Sequence, residues 1–405
     1  MKMRLVTCAL LALAIIAATP GFAAIKAELI VPTSVQPDDH ARARLDSLLY
    51  DFAVFELDTA DLNERVRSTG EVSLYFNNQR FDLVLEPNDL RGPGYREVVM
   101  FDDGPVTLPE RPVTTFKGHV AGDPSSDVRL SVTGDRFDGY IKTDADWVFI
   151  DPLNRFSDKA RAGQVVVYRD AAVRPGTEGE CGVEQVEKEA KRMLDLDLFA
   201  VRRLEGEIEH AHQRRNVQVA TDADGEMFQA YGNPGVFNQM AGVLNAVDGI
   251  YGGQFNLDVT VVYQQAWGNP NTDPYTTSNA STFLGQVRSW WLNNNGGIGR
   301  DTVHMFTRKN MGGTAGIAYV GSICVSSSFA FGISRDLNTA AQDRRVVAHE
   351  IGHNLSAGHD SAGCANCNGS GPIMCPSIQG SGSDTFSNCS KSSVSNHVHN
   401  SGFCL

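Results

Sequence analysis

The sequence predicts a β-rich N-terminal region followed by an α/β domain, and three observations point there. From about Ile25 to Arg169, short runs of β-branched and aromatic residues are separated by Gly, Asp and Pro. From about residue 215, strand-like and helix-like runs alternate, the order that builds a sheet covered by helices. Near the end, the run from His349 to Asp360 has helical spacing and then breaks. A chain of 405 residues suits two or three domains. Its 42% hydrophobic and 20% charged residues are ordinary for a globular protein. The formal net charge of -13 gives no electrostatic support for binding nucleic acid.

Taken in order, residues 1–23 read as a signal peptide. Lys2 and Arg4 supply the positive start, Leu5 to Ala18 the apolar core, and Gly21-Phe22-Ala23 a small-x-small cleavage site. The apolar run is short for a bilayer span and no second one follows, so no stable membrane anchor is expected. Leu5-Val6-Thr7 ahead of Cys8 does not look like a lipoprotein site. Phe52–Leu57 and Val128–Val132 read as strands, and Val72–Phe76, Asn77-Asn78 and Phe81–Leu85 as a hairpin. Arg174 to Gly182 is turn-rich. The charged, helix-prone run Val183–His212 reads as a linker open to proteolysis. Arg202-Arg203 and Arg214-Arg215 read equally as cleavage points and as solvated charge.

Beyond the linker, Asn216–Ala220, Leu257–Tyr263 and Thr302–Thr307 read as strands, with Ala315–Gly321 as an edge strand. Val236–Gly252, Phe283–Leu292 and Asp343–Leu355 read as helices, and the stretch 356–358 as the stop of the last. His304, His397 and His399 lack ligand spacing and are expected to be packed or solvated.

The chemistry concentrates in His349-Glu350-Ile351-Gly352-His353, with His359 six residues after the second histidine. On a helix, His349 and His353 project from one face and can meet one zinc ion. His359 completes three ligands only if the helix stops and the chain turns back. A fourth position is then left open, as catalytic zinc sites require. Glu350 stands where it can take a proton from a water in that position.

Of 8 cysteines, Cys8 belongs to the signal segment. Cys324, Cys364, Cys367, Cys375, Cys389 and Cys404 cluster in the last fifth of the chain and, in an exported protein, read as three disulfides. Cys181 is left without a partner.

These features resemble the metzincins, and within them the adamalysin/reprolysin (ADAM-like) family, over nearly all of the chain after the signal peptide. The carriers are Ala348-His-Glu-Ile-Gly-His-Asn-Leu355, Asp360, the Met-turn-like Pro372-Ile-Met-Cys-Pro376, Phe386-Ser-Asn-Cys-Ser390 and Gly316-Ile-Ala-Tyr-Val-Gly321. Phe116 to Leu130, and Phe149-Ile-Asp-Pro-Leu153, resemble the family's propeptide, and Cys181-Gly182-Val183 its cysteine switch. The resemblance implies a metzincin catalytic domain over 206–405, with a twisted mixed sheet, an antiparallel edge strand at the cleft and an active-site helix. A β-rich prodomain with switch and linker would occupy 24–205.

It further implies one catalytic Zn2+ on His349, His353 and His359, with Glu350 as acid/base. Cys181 would hold the fourth position in a latent zymogen, and Met374 would lie beneath the ligands. The disulfides would be Cys324–Cys404, Cys364–Cys389 and Cys367–Cys375. Gly316, Ile317, Ala318 and Tyr319 would pair with a protein or peptide substrate. The product would be a monomeric endopeptidase secreted from the cell by way of a periplasm.

Three departures stand out. The family has Gly where this chain has Ser356, with Gly358 nearby, so either residue could make the turn to the third ligand. A non-Gly residue there costs about 1 kcal/mol. At the family's structural Ca2+ site Asp301 matches but Gln218 replaces a glutamate. The sequence stops one residue after Cys404, so no disintegrin or Cys-rich module is expected. A weakened metzincin-fold binding protein or toxin-like adhesin is the alternative reading, motivated by Ser356.

Overall fold

The computed structural model describes residues 27–176, 179–186, 215–368, 371–378, 382 and 384–405. The expected signal peptide, Arg202-Arg203, Arg214 and most of the expected linker lie outside the described residues.

The first sheet has ten strands in the order Leu29–Ile30, Glu71–Phe76, Gln79–Pro87, Thr115–Val120, Asp123–Val132, Phe137–Lys142, Trp147–Pro152, Gln164–Arg169, Ala53–Glu56 and Thr33–Ser34. Alternation along each strand sends Val72, Leu74 and Phe76, with Phe81, Leu83 and Leu85 on the neighbouring strand, into one core. Asn77 and Asn78 make the expected turn with φ of 49° and 62°, which short Asn side chains tolerate. Two helices, Asp39–Leu48 and Thr59–Thr69, interrupt what the sequence presented as a run of strands. Each starts on an aspartate, Asp38 or Asp58, whose carboxylate accepts backbone N–H groups of the first turn.

The second sheet has nine strands in the order Ser377–Ile378, Gly179–Cys181, Thr314–Ala318, Phe331–Arg335, Thr302–Thr307, Arg215–Ala223, Leu257–Trp267, Glu97–Phe101 and Gly104–Thr107. The strands from Phe331–Arg335 to Leu257–Trp267 are parallel, and Thr314–Ala318 runs antiparallel beside them. The long helix Gly225–Phe255 and the active-site helix Ala340–Asn354 cover one face. The helix Ala280–Asn294 covers the other. A buried parallel sheet needs both faces covered in this way.

Four features differ from the sequence reading. The edge strand stops at Ala318, and Phe331–Arg335 is an additional strand beside it. The hairpin Glu97–Thr107, inside the β-rich region, joins the second sheet, Glu97 to Met100 pairing in parallel with Gln264 to Trp267. The Ser/Asn-rich tail is a helix, Asn388–Ser401, capped by Ser387 and anchored by buried Val394 and His397.

The first sheet meets the helices that cover the second across polar contacts. Asn88 Nδ2 donates to Asn245 Oδ1 at 2.8 Å, and Arg129 meets Asp248 at 2.6 Å. Arg155, buried, reaches Asp343 of the active-site helix at 2.7 Å and Asp336 at 3.3 Å.

Candidate metal centre

The active-site helix is capped by Thr339, whose side chain accepts the Gln342 N–H, and it is buried along nearly its whole length. Burial turns both helical histidines inward. His349 Nδ1–H donates to the Ile373 carbonyl and His353 Nδ1–H to the Ala357 carbonyl, each at 2.7 Å. These bonds fix the tautomer and leave an unprotonated lone pair on each Nε2. His349 Nε2 is buried with no hydrogen-bond partner. The rings of His349 and His353 lie 4.6 Å apart, and the His359 ring lies 5.3 and 4.9 Å from them. Cys181 Sγ comes within 3.4 Å of His353 Nε2. Ligand atoms of Cys181, His349, His353 and His359 all lie within 4.8 Å of one another.

The turn that delivers His359 is made by Ser356, with φ 75°, and not by Gly358. Its N–H donates to the His353 carbonyl at 2.8 Å, and Ala357 N–H to the Gly352 carbonyl at 2.9 Å. The same turn supplies the carbonyl that orients His353. Beneath the ligands, Met374 is fully buried. A Cβ on Gly352 would stand 2.8 Å from Met374 Sδ and 3.0 Å from the Phe386 ring, so the helix can approach this floor only with glycine there. Asp360 N–H donates to the Met374 carbonyl, and Asp360 Oδ1 accepts from Ser387 at 2.6 Å and Ser390 at 2.8 Å. The disulfides are Cys324–Cys404, Cys364–Cys389 and Cys367–Cys375. Among the described residues Cys181 is the free cysteine.

Gly179–Cys181 reaches the cluster as a strand, parallel to Thr314–Ala318 and antiparallel to Ser377–Ile378. Cys181 N–H donates to the Pro376 carbonyl at 2.9 Å, and Gly182 N–H to the Gly316 carbonyl at 2.8 Å. The edge formed by Gly316, Ile317, Ala318 and Tyr319 is therefore already occupied at Gly316. Tyr319 is buried, its ring edge-on to Phe329. Glu350 is fully buried, with Oε2 3.7 Å from Cys181 Sγ and Oε1 without a partner.

Burial controls the charges. It lowers His349 to about 3 and His353 well below the imidazole range, so both are neutral near pH 7. It pushes the Glu350 carboxyl and the Cys181 thiol well above their usual ranges, the thiol also feeling Glu350. Three convergent imidazoles and one sulfur form a donor set that fits a tetrahedral zinc ion. The buried Nε2 of His349, without a hydrogen-bond partner, suits a metal ion as its electron-pair acceptor. A cation would also repay the cost of burying thiolate and carboxylate charge.

The other expected positions lie elsewhere. Asp301 Oδ2 accepts the Gln218 N–H at 2.7 Å, and burial raises its carboxyl to about 6. Cys324 and Cys404 beside it are in a disulfide and offer no thiolate. His304 is fully buried in the second sheet, His397 Nε2–H donates to the Ile323 carbonyl at 2.9 Å, and His399 is exposed. The carbonyls of Ile373, Ala357 and Pro376 escaped the sequence reading, because a backbone acceptor carries no residue-type signal.

A mixed sheet with an active-site helix, a histidine cluster on that helix and a buried methionine below it define a metzincin-type metallopeptidase domain. Residues 213–387 match the family model Reprolysin_5, metallo-peptidase family M12. A zinc metalloproteinase-disintegrin-like protein of Cerberus rynchops is 23% identical over 351 residues, which are 84% of this chain and 55% of that protein. The chain thus matches about half the length of that relative.

Proposed function

We propose that this chain is the latent form of a secreted zinc endopeptidase that cleaves peptide bonds in proteins. The observation that carries the reading is the position of Cys181, its sulfur among three histidines and its backbone paired into the cleft edge. The signal-like start, the three disulfides and the lack, among the described residues, of a helix long and apolar enough to cross a membrane support export. The division at about residue 205 into prodomain and catalytic domain belongs to this reading, as does a monomeric enzyme. Asp301 is the one carboxylate of the expected Ca2+ site, and its bond to the Gln218 backbone speaks for a structural role without calcium.

His349, His353 and His359 would hold the zinc, and Cys181 the fourth position until it is withdrawn. When bound, zinc would polarise the scissile carbonyl and acidify a coordinated water. Glu350 takes a proton from the attacking water and returns it to the leaving amine. Gly316 to Tyr319 pair with the extended substrate through backbone groups, once Gly182 releases the Gly316 carbonyl.

The test is casein cleavage by wild type, Glu350→Ala and Cys181→Ala chains, with zinc measured in each. The reading expects about one zinc per chain in all three, no cleavage by Glu350→Ala, and cleavage by Cys181→Ala without prior processing. Folded wild-type protein without zinc would sink the ligand assignment. Zinc without cleavage in any processed form would sink the peptidase assignment.

A further inference from the structure

On the sheet face along which the Glu350 side chain lies is a buried polar pair that the mechanism above leaves unused. His304 is fully buried, and its Nε2 lies 2.9 Å from Ser334 Oγ, which is also fully buried. His304 Nδ1 has no hydrogen-bond partner. Burial lowers this imidazole to about 3, so it is neutral. A neutral imidazole carries one N–H, and a buried N–H without an acceptor is the costlier orphan. The proton therefore sits on Nε2 and donates to Ser334 Oγ. The serine's own hydroxyl hydrogen is then free to donate elsewhere.

Strand register fixes where it can go. Ser334 is directly opposite Gly316, and Gly332 is opposite both His304 and Ala318. Residues opposite one another share a face of the sheet, as do residues two apart on one strand. The Glu350 side chain lies along that face. A Cβ on Gly332 would be 3.6 Å from Glu350 Cβ and 3.5 Å from His304 Nδ1. A Cβ on Gly316 would be 2.4 Å from Glu350 Oε1. The two glycines open a trough along which the Glu350 side chain runs, and the strand register puts Ser334 opposite Gly316 and His304 opposite Gly332 on that same face. Oε1, the oxygen on the Gly316 side, is the one that has no partner.

We propose that His304 and Ser334 are positioning residues for Glu350. His304 Nε2–H orients the Ser334 hydroxyl, and that hydroxyl donates to Glu350 Oε1 when Cys181 has left and the carboxylate settles for proton transfer. One oxygen is thereby held from behind and the other is kept toward the reacting water. The inference rests on Glu350 being the acid/base, and its test separates the two.

The experiment compares Ser334→Ala, Ser334→Thr, His304→Leu and His304→Gln in the processed enzyme. Threonine keeps the hydroxyl, and the glutamine amide keeps an N–H donor near the position of Nε2. Misplacing a reacting group costs turnover steeply, so Ser334→Ala and His304→Leu are expected to lower kcat roughly 10- to 100-fold with KM and zinc content unchanged. Ser334→Thr and His304→Gln are expected to recover most of that loss. Equal loss in the conservative and non-conservative variants, or a change in KM alone, overturns the proposal. A readout free of activity is the 15N NMR of the His304 ring in zinc-loaded protein. It should show a proton on Nε2 and a bare Nδ1, and a proton on Nδ1 overturns the orientation of the pair. Wild type that cleaves nothing removes Glu350's role, while the NMR result still decides the His304–Ser334 geometry.

Discussion

Asp151, from the first sheet, accepts the backbone N–H of Ala340, the first residue of the active-site helix, at 3.0 and 3.2 Å from its two oxygens. The N-terminal region thus holds the histidine-bearing helix by its positive end, while Cys181 from the same region meets the histidines further along it. Asp151 is fully buried and also accepts from Tyr168 at 2.6 Å and pairs with Arg155 at 3.2 Å. Asp151→Ala removes a cap and leaves part of the Arg155 charge uncompensated. The expected cost is about 3 kcal/mol in denaturant unfolding of the full chain. A loss below about 0.5 kcal/mol, the range of an ordinary surface change, would mean the contact does not hold the helix.

Ser356 takes a left-handed backbone that favours glycine. Ser356→Gly is expected to stabilise the chain by up to about 1 kcal/mol without loss of zinc. Ser356→Val, β-branched at a positive φ, should destabilise it and lower zinc affinity, because the same turn presents the Ala357 carbonyl to His353. Zinc titration and thermal unfolding of the two variants check both statements.

Gly316→Ala would place a methyl 2.4 Å from Glu350 Oε1. Displacement of the carboxyl should lower kcat roughly 100-fold while zinc stays bound. Gly352→Ala meets Met374 and the Phe386 ring instead, and should cost about 1–3 kcal/mol of stability through overpacking. Measured together, the pair separates an effect on chemistry from one on packing.

The buried imidazole of His304 gives a pH dependence with a definite sign. Its pKa falls from 6.5 unfolded to about 3 folded. Between those values the unfolded chain binds the proton and the folded one does not, so this residue's contribution to stability falls as pH falls from about 6.5 toward 3. The slope is about 1.4 kcal/mol per pH unit. Asp222 and Asp224, raised by burial from 3.8 to about 7, act oppositely, and lose stability as pH rises through that window. The wild-type minus His304→Gln difference isolates the histidine. A difference that does not change between pH 6.5 and 4 would contradict its burial as a neutral ring.

The parts of the fold written in local spacing were legible. Thr302–Thr307 reads as a strand from its composition and is one, and the helix carrying His349 and His353 announces itself by ligands four apart. What depends on distant partners was not. Val98 and Val99 say strand, but nothing in them says that the strand joins Gln264–Trp267. Gly179–Cys181 is too short to signal a strand, and its place comes from carbonyls of Pro376 and Gly316. Asn388–Ser401 hid behind a Ser/Asn composition that suits loops, because its stability comes from a cap and two buried side chains. The choice between Ser356 and Gly358 was a matter of one dihedral, which composition cannot express.

The N-terminal region supplies the strand at one border of the second sheet's main body, Gly179–Cys181, and the hairpin at the other, Glu97–Thr107. Under the proposed processing, the sheet would become open on both sides when that region departs. On the cleft side the bared backbone of Thr314–Ala318 is useful, since it can be read by an incoming chain. On the far side the bared groups of Gln264 to Trp267 have no such use, and an uncovered border invites another chain to dock there. Maturation would therefore carry a colloidal cost alongside its catalytic gain: the processed protein should tolerate concentration less well than the uncut one.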